Sequence, residues 1–374
     1  MIRIDPAAKK LLVRNLESGK ETEEPYDRLI IATGARPREL NLPGADLSNV
    51  FRVKFLEEAI RLKKFLDTEK PARAVSIGAG FIALEMAEAF RGRGLENTIL
   101  HNDLLPGGKL EPEIGALVRK ELEEHGVKFV PNSVVKEFKE GAPGRVDEVI
   151  TAGGKYPADL VLLSVGVVPE VKLAKDAGVT LGPTGAIAVN ERQETNLTGI
   201  YAAGDCCEVK NRVSGRPVYL PLGDVANKQG WVAGENAAGG KVTYPGVLGS
   251  AQFKCFDLEI GQTGLLSQEA EKLGFSVYTQ LIEDASRTRI YPGSRPILLK
   301  LIIDRKSHVL LGAQIAGKDG AALRINTLAV AVYKKMTVEE LAELDFAYAP
   351  PFSPAIDPIL VAARAAAKEM AGEK

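Results

Sequence analysis

The chain has 374 residues, with 48 Lys plus Arg against 49 Asp plus Glu and a formal net charge of −1. That length suggests two or three domains with separate cores, and 45% hydrophobic with 26% charged residues excludes a disordered polymer. Balanced charge gives no long-range field for nucleic acid or an anionic membrane, so neither is an expected partner. The longest mainly apolar stretch, residues 160–168, is far short of the ~20 residues that span a bilayer. The N-terminus has no apolar core of signal-peptide type. Three cysteines, Cys206, Cys207 and Cys255, are too few for a disulfide framework and fit a reducing, cytoplasmic setting.

In chain order, residues 27–37 (DRLIIATGARP) read as an apolar strand closing on Gly34. The clearest unit starts at Ala74-Val75-Ser76-Ile77, breaks at Gly78-Ala79-Gly80 and continues as a helix over residues 81–93 that stops at Gly94. Residues 98–100 read as a strand, 113–125 as a helix ended by Gly126, and 127–130 as the next strand. Short strands with Gly-rich turns over residues 133–165 predict a β-meander. Residues 166–240 mix loops with a strand-like segment at 199–203 and a helix near 226–238. Beyond residues 244–246 (YPG), apolar β runs at 297–303 and 309–315 precede helices over 321–334 and 358–370, the pattern of a separate α+β domain.

An internal repeat links two of these strands. DRLIIATGARP (27–37) and DLVLLSVGVVP (159–169) share Asp, an apolar strand, Gly at +7 and Pro at +10. Such a repeat predicts two related domains, the alternative being chance similarity of two buried strands. The second copy closes 88 residues after Gly78, whereas the first closes at Gly34, so the matching turn of the first domain would fall before Met1. The first nucleotide domain is therefore expected to lack its opening βαβ.

The strongest chemical signal is Gly78-Ala79-Gly80-Phe81-Ile82-Ala83, a Gly-x-Gly-x-x-Ala turn between strand and helix. The first Gly permits the tight turn, and the second lets a pyrophosphate approach the backbone. Ala83 packs helix on sheet, and the amides at the helix start hold the anion, the alternative being a plain helix start. The end of the next strand should choose between NADH and NADPH, because an acid accepts from ribose hydroxyls and a base pairs with a 2′-phosphate. His101 stands at the expected place and Asp103 slightly beyond it, which leaves the choice open; His101 also reads as a solvated loop residue. Residues 195–205 (TNLTGIYAAGD) close a strand on Gly204-Asp205, where a carboxylate at a sheet edge accepts from a sugar-type hydroxyl or simply serves a turn. Adjacent Cys206 and Cys207 form a disulfide only with strain and, like Cys255, read as packing residues. His125 and His308 read as structural or exposed, and no metal-ligand spacing stands out.

YDRLIIATGARP, VSIGAGFIALEMAE, ADLVLLSVGVVPE, TNLTGIYAAGD, YLPLGDVANKQG and AYAPPFSPAIDP follow one another in an order that resembles the pyridine nucleotide–disulfide oxidoreductases. The branch is similar to coenzyme A-disulfide reductases and related NADH oxidases and persulfide or polysulfide reductases, and the resemblance covers essentially the whole chain. It implies an α/β fold with two Rossmann-like nucleotide-binding domains, the first incomplete and split by the second, and a C-terminal α+β dimerisation domain. The implied limits are 1–52 for the partial FAD-binding domain, 53–167 for the NAD(P)H-binding domain, 168–242 for the FAD-binding return segment and 243–374 for the dimerisation domain.

The resemblance implies site residues too. Thr33 and Gly34 would lie near FAD, Gly204 and Asp205 would meet its ribityl–phosphate part, and Ala226 would begin a helix facing the flavin pyrimidine, where its dipole favours charge on the reduced ring. Gly78, Gly80, Phe81, Ile82 and Glu85 would bind NAD(P)H, with Glu85 near the nicotinamide, His101 and Asp103 at the ribose end and Gly166 at the closing strand. Tyr348 would reach the partner subunit's flavin site in a homodimer, and Asn227 matches a substrate-side position. The family's N-terminal Gly-x-Gly-x-x-Gly turn and its redox cysteine have no counterpart among these residues, so no nucleophile is assigned. The Lys that helps hold coenzyme A in this branch falls at Ile356, and Ile290-Tyr291-Pro292 stands where many members have Tyr-Tyr-Pro. The expected activity is FAD-dependent transfer of hydride from NAD(P)H to flavin, then electrons to a disulfide, a coenzyme A-type persulfide or disulfide, or oxygen. The alternative is a flavin-free NAD(P)-binding dimeric protein without turnover.

Overall fold

The computed structural model describes residues 1–372, which divide into two compact units. The first comprises Met1–Arg36 and Val167–Val247. In it an antiparallel meander (Arg3–Asp5, Lys10–Arg14, Glu21–Pro25) stands beside a parallel pair, Leu29–Ile31 with Ile200–Ala202. Ile4, Leu29, Ile31, Ile187, Ile200, Ala202, Cys206 and Cys207 make one core. The helix Gly223–Ala237 turns Val225, Gln229, Val232, Ala233 and Asn236 inward. It starts three residues earlier than the sequence predicts: Gly223 and Asp224 carry no periodic apolar signal, yet they complete its first turn.

The second unit comprises residues 37–166 and the chain from Leu248 onward. Its parallel sheet has Val50–Phe51, Leu160–Leu163, Arg73–Ile77, Glu96–Leu100 and Val127–Val130 in spatial order. The run Leu160–Leu163 is buried throughout and lies between two neighbours, so it belongs to this sheet and not to the predicted meander. The meander itself is three strands, Val135–Glu140, Val146–Thr151 and Lys155–Pro157. Asp159 opens the inner strand by accepting the Ala72 and Arg73 amides at 3.0 and 2.9 Å and pairing with the Arg73 guanidinium at 2.7 Å. Burial would raise its carboxyl, but those partners outweigh it and hold it below the usual range.

Downstream, five antiparallel strands run Ala251–Cys255, Leu258–Gly264, Leu310–Gly317, Pro296–Asp304 and Val277–Ala285 across the sheet. The helices Ala321–Lys334 and Pro358–Ala371 match the predicted α+β pattern closely. Phe253, Cys255, Phe256, Leu258, Ile260 and Ala316 share one core with Leu84, Ile99, Ile114 and Val118 of the nucleotide-type half, so this unit folds around a joint interior. All three cysteines are buried and free, with the Cys206 and Cys207 sulfurs 3.7 Å apart.

The two repeat copies end alike. The Glu170 amide donates to the Gly34 carbonyl, and the Arg38 amide donates to that of Gly166, each at 2.9 Å. Gly34 and Gly166 both hold positive φ, 72° and 88°, the left-handed geometry that a shared Gly at +7 serves.

Candidate functional site

In the second unit the strand Arg73–Ile77 ends at Gly78, whose φ of 94° is left-handed. A Cβ there would lie 2.3 Å from the Ser164 carbonyl oxygen, so both conformation and space require glycine. Gly80 caps the helix Phe81–Gly92 from an extended conformation, and no side chain caps it. A Cβ on Gly80 would meet open space. The first amides of that helix are thus left to an outside acceptor, with the positive end of the helix dipole behind them. Ala83, Leu84, Ala87 and Phe90 bury the inner face, and Ile82 and Glu85 are exposed one turn apart on the outer one. The Phe81 ring stacks on Phe253 at 4.5 Å and belongs to the core, so its contribution to a site is its backbone.

His101 and Asp103 follow the neighbouring strand Glu96–Leu100. His101 is not a solvated loop residue, being 8% exposed with no hydrogen-bond partner on either ring nitrogen. Its Nε2 stands 3.6 Å from the exposed Asp103 carboxylate, an ion-pair distance too long for a hydrogen bond. Burial lowers its pKa, opposed by the Asp103 charge, so the ring is neutral near pH 7. The Asp103 carboxylate is exposed at this edge and can accept from a hydroxyl. The loop then returns: the Gly107 amide donates to the Ala79 carbonyl at 2.8 Å, tying it to the glycine turn.

In the first unit, Thr33 and Gly34 follow one strand of the parallel pair and Gly204 and Asp205 the other, so all four meet at its carboxyl edge. The Thr33 hydroxyl donates to the Glu170 carbonyl at 2.5 Å. Gly204, at φ 84°, donates its amide to Gln229 Oε1 at 3.0 Å, and Gln229 donates from Nε2 to the Glu208 carbonyl at 3.3 Å. The Tyr219 hydroxyl donates to the Asp205 carbonyl at 2.9 Å, and its pKa rises through burial and the Asp205 charge. The expected role of Ala226 needs correction: its amide bonds the Leu222 carbonyl at 2.9 Å, so the free first-turn donors of this helix are Gly223, Asp224 and Val225. No side chain caps that helix start either, and a Cβ on Gly34 would meet open space. Asn227 is exposed on the same helix. Tyr348 and Ile356 are exposed and belong to the other unit.

Gln229 and Tyr219 hold the Gly204–Asp205 turn, and neither is among the residues that the sequence singles out for the site. The available signal was a polar residue on an otherwise apolar helical stripe, Val225-Gln229-Val232. Among the described residues Glu121, His125 and Asp257 cluster as metal donors do. Lys318 Nζ already sits 2.7 Å from Glu121, and the His125 ring stacks on Phe256 at 4.1 Å, so the group is an ion-pair and stacking contact. No helix among the described residues is long and apolar enough to cross a membrane.

Residues 1–230 match the family model for pyridine nucleotide-disulphide oxidoreductases, and residues 250–359 match the dimerisation domain of the same family. The chain is 40% identical over 354 residues to an NAD(P)H sulfur oxidoreductase (CoA-dependent) of Pyrococcus furiosus, covering 94% of this chain and 79% of that one. Its fold is similar to an NAD-dependent persulfide reductase from A. fulgidus, with a TM-score of 0.95, 39% identity, and 99% and 68% of the two chains covered. A water-forming NADH oxidase from Lactobacillus brevis, solved bound to NADH, is similar at a TM-score of 0.94 and 28% identity, with 100% and 82% covered.

Proposed function

The chain belongs to the pyridine nucleotide-disulphide oxidoreductase family, and on that premise we propose that it is an FAD-dependent oxidoreductase that oxidises NAD(P)H and reduces a disulfide, a coenzyme A-type persulfide or disulfide, or oxygen. The observation that carries this reading is the uncapped helix start beyond Gly78 and Gly80, with open space where a side chain would stand, which supports pyrophosphate binding there. In this reading the amides of Phe81 and Ile82 hold the pyrophosphate and Gly80 lets it approach. Asp103, backed by His101, accepts the ribose hydroxyls. Glu85 lies on the nicotinamide side, and Gly166 keeps the closing strand clear.

The residues of the first unit fit the polar end of a flavin dinucleotide. Gly34 leaves room, the Gly223–Ala237 helix start is uncapped, and Gln229 fixes the Gly204–Asp205 turn. Bound FAD would supply a two-electron acceptor for the hydride and a donor for the terminal acceptor. Thr33, Gly34, Gly204 and Asp205 would hold it, and the amides of Gly223, Asp224 and Val225 would favour negative charge on the reduced ring. The proposed domain limits are 1–52 and 168–242 for FAD, 53–167 for NAD(P)H and 243–374 for dimerisation. In the homodimer Tyr348 would serve the partner subunit's flavin site, and Asn227 would face substrate. The reading is tested by equilibrium binding of NADH to the wild-type chain and to Gly80→Asp. Saturable binding that the variant abolishes supports it, and identical titrations contradict it.

A further inference from the structure

The antiparallel sheet carries a polar row through an apolar interior. Gln262, Gln314 and Lys300 stand in register on three adjacent strands, although Leu299, Leu301, Ala313 and Ile315 beside them are fully buried. Gln314 is 1% exposed and Lys300 6%, depths at which polar groups persist only with partners. Their partners lie in the loop between His101 and the helix Pro112–Glu124 and in the first turn of that helix. Gln314 Oε1 accepts the Glu111 amide at 2.7 Å, and its Nε2 donates to the Lys109 carbonyl at 3.1 Å. Lys300 Nζ lies 2.8 Å from both Glu111 and Glu113 carboxylates. Glu111, 2% exposed, also accepts from the Ser267 amide and hydroxyl at 2.8 and 2.9 Å. The same loop reaches the glycine turn through the Gly107 amide on the Ala79 carbonyl. Gly107 holds φ at 97°, and a Cβ on it would strike the Leu110 side chain at 2.2 Å.

We propose that Gln314 and Lys300 are positioning residues for the coenzyme: the C-terminal sheet clamps residues 107–113 and so holds the Asp103 loop and the Ala79 turn in the form that a dinucleotide needs. This rests on the Gly78 turn being the coenzyme site. Burial alone would lower the Lys300 ammonium's pKa, but its two carboxylate partners outweigh that and keep it charged. The ammonium side of the clamp therefore stays charged near neutral pH, and a clamp formed ahead of coenzyme lowers the ordering cost of binding.

The test measures binding of NADH and of ADP-ribose to the full chain by calorimetry, for wild type, Gln314→Met and Lys300→Arg, alongside thermal unfolding. Gln314→Met keeps volume and removes both loop bonds, and it should weaken both ligands about tenfold. Lys300→Arg keeps the charge and should stay within about threefold. At saturating NADH the turnover of Gln314→Met should match wild type, so the defect lies in KM and not kcat, a split that general destabilisation would not produce. Amide exchange of the ligand-free wild type covers the case in which Gln314→Met does not fold: Gly107 and Glu111 should already be protected. Unchanged ligand affinity in Gln314→Met, or Gly107 and Glu111 amides protected only with coenzyme bound, would overturn the proposal. Wild type that binds neither ligand would instead overturn the coenzyme-site reading, and the proposal with it.

Discussion

Gly78 and Gly80 occupy one turn, yet a methyl group at each meets different surroundings. At Gly78 it would collide with the Ser164 carbonyl at a left-handed φ, so Gly78→Ala should lower stability by about 2 kcal/mol or more in urea titrations. At Gly80 it would stand in open space, so Gly80→Asp should fold normally while its carboxylate repels the pyrophosphate. A rise in NADH Kd of at least about tenfold is expected, against an unchanged unfolding midpoint. His101 supplies a pH signature. Its folded pKa lies below the ~6.5 of an unfolded histidine, so the unfolded chain binds the proton first as pH falls. Stability present above ~6.5 should be lost as pH falls toward the folded value, and His101→Leu should flatten the fall relative to wild type. Parallel curves would contradict a buried neutral ring.

At the scale of elements, the helix Pro358–Ala371 depends on Asp357. One carboxylate oxygen accepts the Ile359 amide at 3.0 Å, and the other takes Arg324 at 2.9 Å, both groups largely buried. Asp357→Asn keeps a good cap and loses the charge partner, whereas Asp357→Ala loses both. The alanine variant should be the less stable by about 1 kcal/mol, and equal losses would assign the whole effect to the ion pair.

These elements also show what the sequence could and could not convey. The Gly78 strand–turn–helix and the helix Ala321–Lys334 were legible because apolar periodicity and glycine placement are local. The inclusion of Leu160–Leu163 in the parallel sheet was not, because a fully apolar run fits many partners. Nor was the burial of His101, which depends on a neighbouring strand and loop and not on its own surroundings in the chain. The start of the Gly223–Ala237 helix is not marked locally, because glycine and aspartate serve turns as readily as first helical turns. Lys300 and Gln314 were visible only as lone polar letters in apolar strands; what they hold lies about 200 residues upstream, a separation no local pattern carries.

At the scale of the whole molecule, the joint core of the second unit makes its C-terminal half indispensable to the nucleotide-type half. Removing everything after Val247 would expose Leu84, Ile99, Ile114 and Val118, which pack with Phe253, Phe256 and Ile260. The shortened chain should aggregate, and a soluble monomer that still binds NADH would contradict both the shared core and the clamp on residues 107–113. Above these interactions stands one chemical proposition, that electrons pass from nicotinamide to flavin on this chain. The most direct measurement is the visible absorption spectrum of the full protein with FAD, taken anaerobically before and after NADH or NADPH. Hydride transfer predicts a retained flavin spectrum that bleaches on addition of the nicotinamide. A protein from which FAD washes away, or a flavin band unchanged by either nucleotide, would contradict it.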